Sequence, residues 1–153
     1  MTALIPASGT DHPMHVCFVT DDIEALVSWF SGLFGESAPQ PVDAPPLEVA
    51  RPCLRGVDVD GGFRQVILSW RSTEIEIVQP DDRPSTWREF LDDNGPGVHH
   101  IGFGVPDYDA AVAGLDGSGH RVEQTGAWAT GRYTYLDTRS RLGTFLEVLG
   151  FDD

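Results

Sequence analysis

Cysteine, basic side chains and long apolar runs are all scarce in this chain. Two cysteines, Cys17 and Cys53, occur in 153 residues and form neither a disulfide framework nor a Cys-x-x-Cys motif. Ten Lys and Arg stand against 24 Asp and Glu, a formal net charge of -14. Such a surface repels phosphate backbones and anionic lipids, which argues against nucleic-acid and membrane partners. No apolar run approaches the ~18 residues that a membrane-spanning helix needs. Residues 1–11 carry no basic segment followed by an apolar one, so no secretory signal is expected and the cytoplasm is the expected compartment.

What is present points to a folded chain. Hydrophobic residues make up 41% and charged residues 22%, the balance of a globular protein rather than a disordered one. The length suits one domain, residues 1–153, with a sizeable core.

One stretch organises the rest: Gly97-Val98-His99-His100-Ile101-Gly102-Phe103-Gly104-Val105. Its β-branched and aromatic content reads as a strand. Alternation places His100, Gly102 and Gly104 on one face and Ile101, Phe103 and Val105 on the other. An imidazole followed by two residues without side chains suits a cavity wall. His99 falls on the opposite face in this register, which gives it a structural or supporting role.

The stretch has an upstream echo. His15-Val16-Cys17-Phe18 through Ala25 matches His100-Ile101-Gly102-Phe103 through Ala110, 85 residues later. A second echo relates Glu76 in Glu74-Ile75-Glu76-Ile77-Val78 to Glu147 in Phe145-Leu146-Glu147-Val148, 71 residues apart. Two copies are too few for a solenoid and imply a duplicated module closing on itself.

The order of elements agrees. A strand over 14–19 leads to a helix in which Ile23, Leu26, Val27, Phe30 and Phe34 recur at helical spacing, capped by Asp21 or Asp22 and stopped at Gly35. A proline-rich loop over 36–52 follows, with room for a short edge strand at 47–50 and the length of a lid. Strands over 63–70 and 73–78 form a hairpin, and in the second Glu74, Glu76 and Val78 share a face. Thr86 and Glu89 fit a capping box for a linker helix over about 85–94. The second module repeats a strand at 98–105, a helix from Asp107, and strands near 120–125, 131–137 and 143–149. The expected fold is α+β: two tandem βαβββ modules, residues 13–80 and 97–150, with about eight strands and helices outside.

Four residues then coincide: His15, Glu76, His100 and Glu147. Each module supplies one histidine and one glutamate on strand positions flanked by apolar residues. Two imidazoles and two carboxylates suit a divalent cation of borderline hardness, with positions open for water or substrate. A cation would also compensate carboxylates on half-buried strands. His120, at a loop-to-strand junction, is expected at the surface. Arg132, Arg139 and Arg141 flank the last hairpin and fit either an anionic substrate group or ordinary turn roles. Tyr133, Tyr135, Trp128 and Phe145 fit either a pocket wall or core, and Trp70 and Trp87 fit packing.

On these segments the chain resembles the vicinal oxygen chelate superfamily, which embraces glyoxalase I, methylmalonyl-CoA epimerases, extradiol dioxygenases and bleomycin-resistance proteins. The resemblance covers residues 13–150, is nearest to the epimerases, and implies that the two modules form an open, curved, eight-stranded half-barrel. It implies metal ligands at His15, Glu76, His100 and Glu147, a divalent ion such as cobalt, zinc, manganese, nickel or iron, and a small-molecule substrate with two chelating oxygens. It implies an isomerase, epimerase or lyase that removes a proton next to a metal-chelated carbonyl, with Glu147 as the first candidate base and Glu76 as the second. It also implies a homodimer. The position of the epimerases' further acid/base falls on Gln65, which cannot exchange a proton; Glu74 and Glu48 are the carboxylates that could replace it. Two other readings share the fold: an Fe(II)-dependent dioxygenase, in which Glu76 would occupy a position O₂ needs, and a metabolite- or drug-binding resistance protein, whose class often lacks the ligand set.

Overall fold

The computed structural model describes residues 12–35 and 37–152. Residues 1–11, read above for a secretory signal, therefore lie outside the described residues. Strand β1 (His15–Val19) runs into helix α1 (Ile23–Phe34). Asp22 caps α1 by accepting from the Ala25 N–H at 3.0 Å, and Gly35 ends it at φ 71°, a left-handed conformation that costs glycine nothing. Four short elements follow: β2 (Val42–Asp43), α2 (Leu47–Ala50), β3 (Cys53–Leu54) and β4 (Val57–Asp58). The hairpin β5 (Phe63–Trp70) and β6 (Thr73–Pro80) closes the first half, and helix α3 (Thr86–Asn94) leads to the second. That half comprises β7 (Gly97–Gly104), α4 (Tyr108–Gly117), β8 (Val122–Trp128), β9 (Gly131–Leu136), α5 (Arg139–Leu142) and β10 (Phe145–Phe151).

All ten strands among the described residues join one curled, open sheet in the order β2-β5-β6-β1-β7-β10-β9-β8-β3-β4. The repeat is visible in this order. Four strands of each half mirror one another across the antiparallel β1–β7 seam, and parallel pairs β1–β6 and β7–β10 flank it. The expected eight-stranded arrangement gains β3 and β4. These come from the proline-rich segment of the first half yet pair with β8 of the second, Cys53 opposite Thr125. The segment at 47–50 is the short helix α2 rather than an edge strand. Pro45 and Pro46 lead into it, and a proline is well placed just ahead of a helix, where its missing N–H has no partner to lose.

Two outer clusters fix the convex side. Ile75 and Ile77 of β6 pack beneath Ile23, Val27 and Phe30 of α1. Leu136 and Val148 pack beneath Ala111 and Leu115 of α4. Helix α3 departs from the helices-outside expectation, because its Trp87 and Leu91 join the inner cluster with Cys17, Val19, Val78, Tyr135 and Phe145. Its N-cap is Ser85, which accepts from the Arg88 N–H at 3.0 Å, rather than the Thr86 of the expected capping box. Thr86 is instead held by Gln124, whose side-chain oxygen accepts from the Thr86 N–H at 2.8 Å. Trp87 is 2% exposed and donates its indole N–H to Tyr135 Oη at 3.2 Å. Truncating it to alanine is expected to cost about 3–5 kcal/mol, read as a lower urea midpoint, with phenylalanine recovering much of the loss. Trp70, expected to serve packing, stacks on Phe34 at 4.7 Å at the rim, where it is 48% exposed.

Candidate metal and active site

The strand pairing brings the four residues together. β1 lies between β6 and β7, and β10 lies beside β7, so His15, Glu76, His100 and Glu147 occupy four consecutive strands on the inner face. His15 Nε2 lies 2.7 Å from Glu147 Oε2, 2.9 Å from His100 Nε2 and 3.7 Å from Glu76 Oε2. His100 Nε2 lies 3.2 Å from both Glu76 Oε2 and Glu147 Oε2. Donors about 2.1 Å from a cation and at right angles about it lie roughly 3.0 Å apart. Four of these spacings fall between 2.7 and 3.2 Å; His15, His100 and Glu147 form the tightest group, all within 4.8 Å of one another, and Glu76 approaches it through the two imidazoles, so the donor set fits a divalent ion.

Three further observations support the fit. Glu147 Oε2 is buried and lacks an aligned hydrogen-bond donor, despite its closeness to His15. An acceptor left in that state is costly unless another group satisfies it. Gly102 sits on β7 directly beneath the cluster, where an added Cβ would lie 2.5 Å from His15 Cε1 and 2.8 Å from Glu147 Oε2. The room left by this glycine, expected from the sequence, is therefore used by two of the four donors. The electrostatics agree as well. Burial opposes charge on Glu147, yet His100 and His15 draw its carboxyl down to about 2. Burial likewise opposes charge on His100, but the Cys17 sulfur and the Glu147 carboxylate raise it well above the ordinary imidazole range. His15 is raised, against burial, by Glu147 and Glu76. Glu76 is lowered, against burial, by His100 and His15.

His99 does not face the opposite side, as unbroken alternation implied. The β1–β7 register slips between Cys17 and Phe18: Cys17 opposes His100, and Phe18 opposes Val98, leaving His99 as the extra residue of a β-bulge. A bulge interrupts the period-two facing. Both histidines are consequently fully buried on the inner side, with their Nδ1 atoms 2.9 Å apart. The ring of His99 meets Phe145 at 4.8 Å, Tyr135 at 5.2 Å and Phe90 at 5.6 Å. Burial and the neighbouring His100 hold its pKa well below the ordinary value, so it stays uncharged. From this position His99 touches His100 directly. No residue type in the sequence marks the slip.

Above the cluster opens a cavity of about 730 Å³, into which His15, Glu76 and Glu147 look. Tyr133, Tyr135 and Trp128 line it, whereas Phe145 is buried in the inner cluster. Gln65 and Glu74 reach the wall; Glu48 is exposed on α2 and does not. Asp43, unremarked in the sequence, also lines it. The arginines of the last hairpin serve other contacts. Arg132 donates to Asp109 at 2.9 Å and covers the Tyr108 ring, and Arg139 donates to Asp137 at 2.9 Å and covers Phe145. The guanidinium groups nearest the cavity are Arg64 and Arg83.

The model of the Glyoxalase/Bleomycin resistance protein/Dioxygenase superfamily matches residues 14–135, most of the chain. The chain belongs to this superfamily. A superfamily relative is the ethylmalonyl-CoA/methylmalonyl-CoA epimerase of Cereibacter sphaeroides, 28% identical over 113 residues, 73% of this chain and 74% of that protein. Among solved superfamily structures, the methylmalonyl-CoA epimerase of Mycobacterium tuberculosis superposes with a TM-score of 0.65 at 20% identity, covering 100% of this chain and 93% of that one. A methylmalonyl-CoA epimerase variant of Streptomyces coelicolor, in complex with 2-nitronate-propionyl-CoA, gives 0.62 at 20% identity, covering 92% and 94%. Both are likenesses of fold.

Proposed function

We propose that this protein is a divalent-metal-dependent isomerase or epimerase, or a lyase of the same chemistry, that removes a proton next to a carbonyl. His15, Glu76, His100 and Glu147 would hold the ion. The observation that carries this reading is the convergence of their four donor atoms at the floor of a substrate-sized cavity, with one buried carboxylate oxygen lacking an aligned donor. The epimerase names of the relatives support it.

A bound divalent cation supplies Lewis-acid polarisation of a substrate carbonyl, which acidifies the adjoining C–H. The residues of the chain do the rest. Glu147 and Glu76 reach the cavity from the two halves, so a carbon held above the cluster meets a carboxylate from either. Glu147 takes the proton, and Glu76 is the alternative acceptor. Gln65 on the wall can orient an oxygen by hydrogen bonding but cannot exchange a proton. Trp87, Tyr133 and Tyr135 exclude water from one side of the cavity.

The test is deuterium incorporation. Metal-loaded protein in heavy water should label the carbon next to the carbonyl of a chelating hydroxyketone or a malonyl-type thioester. Oxygen consumption with Fe(II) and no labelling of any such compound would overturn the proposal in favour of an oxygenase.

Protons and the cation compete for the same imidazole nitrogens. The partnered carboxylates raise His15 and His100, so the metal-free cluster keeps protons that uptake must expel. Lowering the pH adds protons and weakens binding. Apparent metal affinity should therefore rise from about pH 6 to about pH 8, by as much as ~10-fold per unit for each proton displaced. Proton release on metal addition in weak buffer checks the sign.

A further inference from the structure

The segment between β2 and β4 does more than connect strands. β2 lies at one edge of the sheet beside β5, and β3 lies near the other edge beside β8. The intervening chain thus bridges the open side of the half-barrel. Its far end is anchored by Arg55, whose backbone N–H donates to the Glu123 carbonyl at 2.8 Å. The Arg55 guanidinium donates to the buried Glu123 carboxylate at 2.9 Å and pairs with Glu89 of α3. The face that this strap turns to the cavity is apolar: Ala44, Pro45, Pro46, Leu47, Ala50 and Pro52. Trp87, Trp128 and Tyr133 line the same cavity. Three prolines and the Arg55 anchor make the roof stiff, so the space is largely pre-formed.

The charges around the same space are arranged against a polyanion. Of the six carboxylates that line the cavity, Asp60 and Asp81 meet Arg83, and Glu76 and Glu147 meet the two imidazoles; Asp43 and Glu74 add negative charge at the wall. The two guanidinium groups there are already engaged, Arg64 with Glu24, and Arg83 with Asp81 and Asp60. A coenzyme A tail carries a pyrophosphate and a phosphate monoester, and the entire molecule it must approach has a net charge of -14. Desolvating such a tail at an acidic mouth without a spare cation is unfavourable.

Resting on the proton-abstraction reading above, we infer that the substrate is an uncharged, largely apolar aromatic compound bearing two neighbouring oxygens, rather than a coenzyme A thioester. The oxygens reach the His15–Glu147 end, and the ring system lies between the proline roof and the tryptophan–tyrosine wall. A cavity of about 730 Å³ is of the size that accepts a drug-like body.

Benzoin is a suitable probe: it is neutral, has a hydroxyl beside a carbonyl, an exchangeable C–H between them and two phenyl rings. Its binding to the metal-loaded protein, and that of methylmalonyl-CoA, can be followed by the fluorescence of Trp87 and Trp128 at the cavity wall. Benzoin is expected to bind at least about 10-fold more tightly than methylmalonyl-CoA, and Ala50→Trp, which fills the roof, to weaken it at least about 10-fold with metal content unchanged. Tighter or equal binding of methylmalonyl-CoA, failure of benzoin to bind, or indifference to Ala50→Trp would overturn the inference. The two readings fail separately. Tight benzoin binding without deuterium exchange of any carbonyl compound removes the proton-abstraction function and leaves the ligand class standing. Exchange confined to methylmalonyl-CoA does the reverse.

Discussion

Glu147→Gln is expected to lower the rate of proton exchange by about 10²- to 10⁴-fold, the range for losing a positioned general base. Glutamine keeps the size of the side chain and one carbonyl oxygen but removes the negative charge and the proton acceptor. The buried surroundings make the charge matter. Glu147 is 4% exposed, and its carboxylate balances His15 at 2.7 Å and His100 at 3.2 Å. Metal affinity should fall as well, because a neutral amide replaces an anionic donor. Measuring both quantities separates the roles. A variant with full metal content and a large rate loss identifies the base. One that regains its rate at saturating metal identifies a ligand only, and moves proton abstraction to Glu76.

Gly102→Val should abolish metal uptake while leaving secondary structure intact. Even the first added carbon would lie 2.5 Å from His15 Cε1, 2.6 Å from His15 Nε2 and 2.8 Å from Glu147 Oε2. The strand itself tolerates β-branched residues, so the backbone is not the obstacle. The imidazole must swing away, which breaks the spacing on which all four donors depend. Overpacking of this kind costs about 1–3 kcal/mol of stability, which a chain of this size survives. Circular dichroism should therefore look native while calorimetry shows no metal binding. Gly32→Ala on α1, where an added Cβ meets nothing within 4 Å, serves as the control.

Much of this site was legible in the sequence, because duplication turned four weak signals into one pattern. A histidine in a strand or a glutamate beside isoleucines means little alone. The spacing of His15 and His100, with Glu76 and Glu147 after them, carries the information twice. Local chemistry was equally plain where one residue decides it, as in the Asp22 cap and the left-handed Gly35. The features that escaped depend on distant partners. Cys53 and Leu54 form a strand only because Thr125 and Gln124 offer an edge to pair with. The bulge at His99 arises from pairing between β1 and β7, so a rule based on alternation within β7 alone put that ring on the wrong face. Helix α3 looked like a linker, but Trp87 turns it into a plug for the inner face.

X-ray absorption on the cobalt-loaded protein tests the central claim most directly. Cys17, Glu76 and His100 also bring donor atoms within 4.8 Å of one another, so a sulfur-containing alternative exists in the same fold. Two imidazoles per cobalt, oxygen donors for the remainder and no sulfur scatterer are the predicted result. A cobalt–sulfur path near ~2.3 Å, or a shell with fewer than two imidazoles, would contradict it.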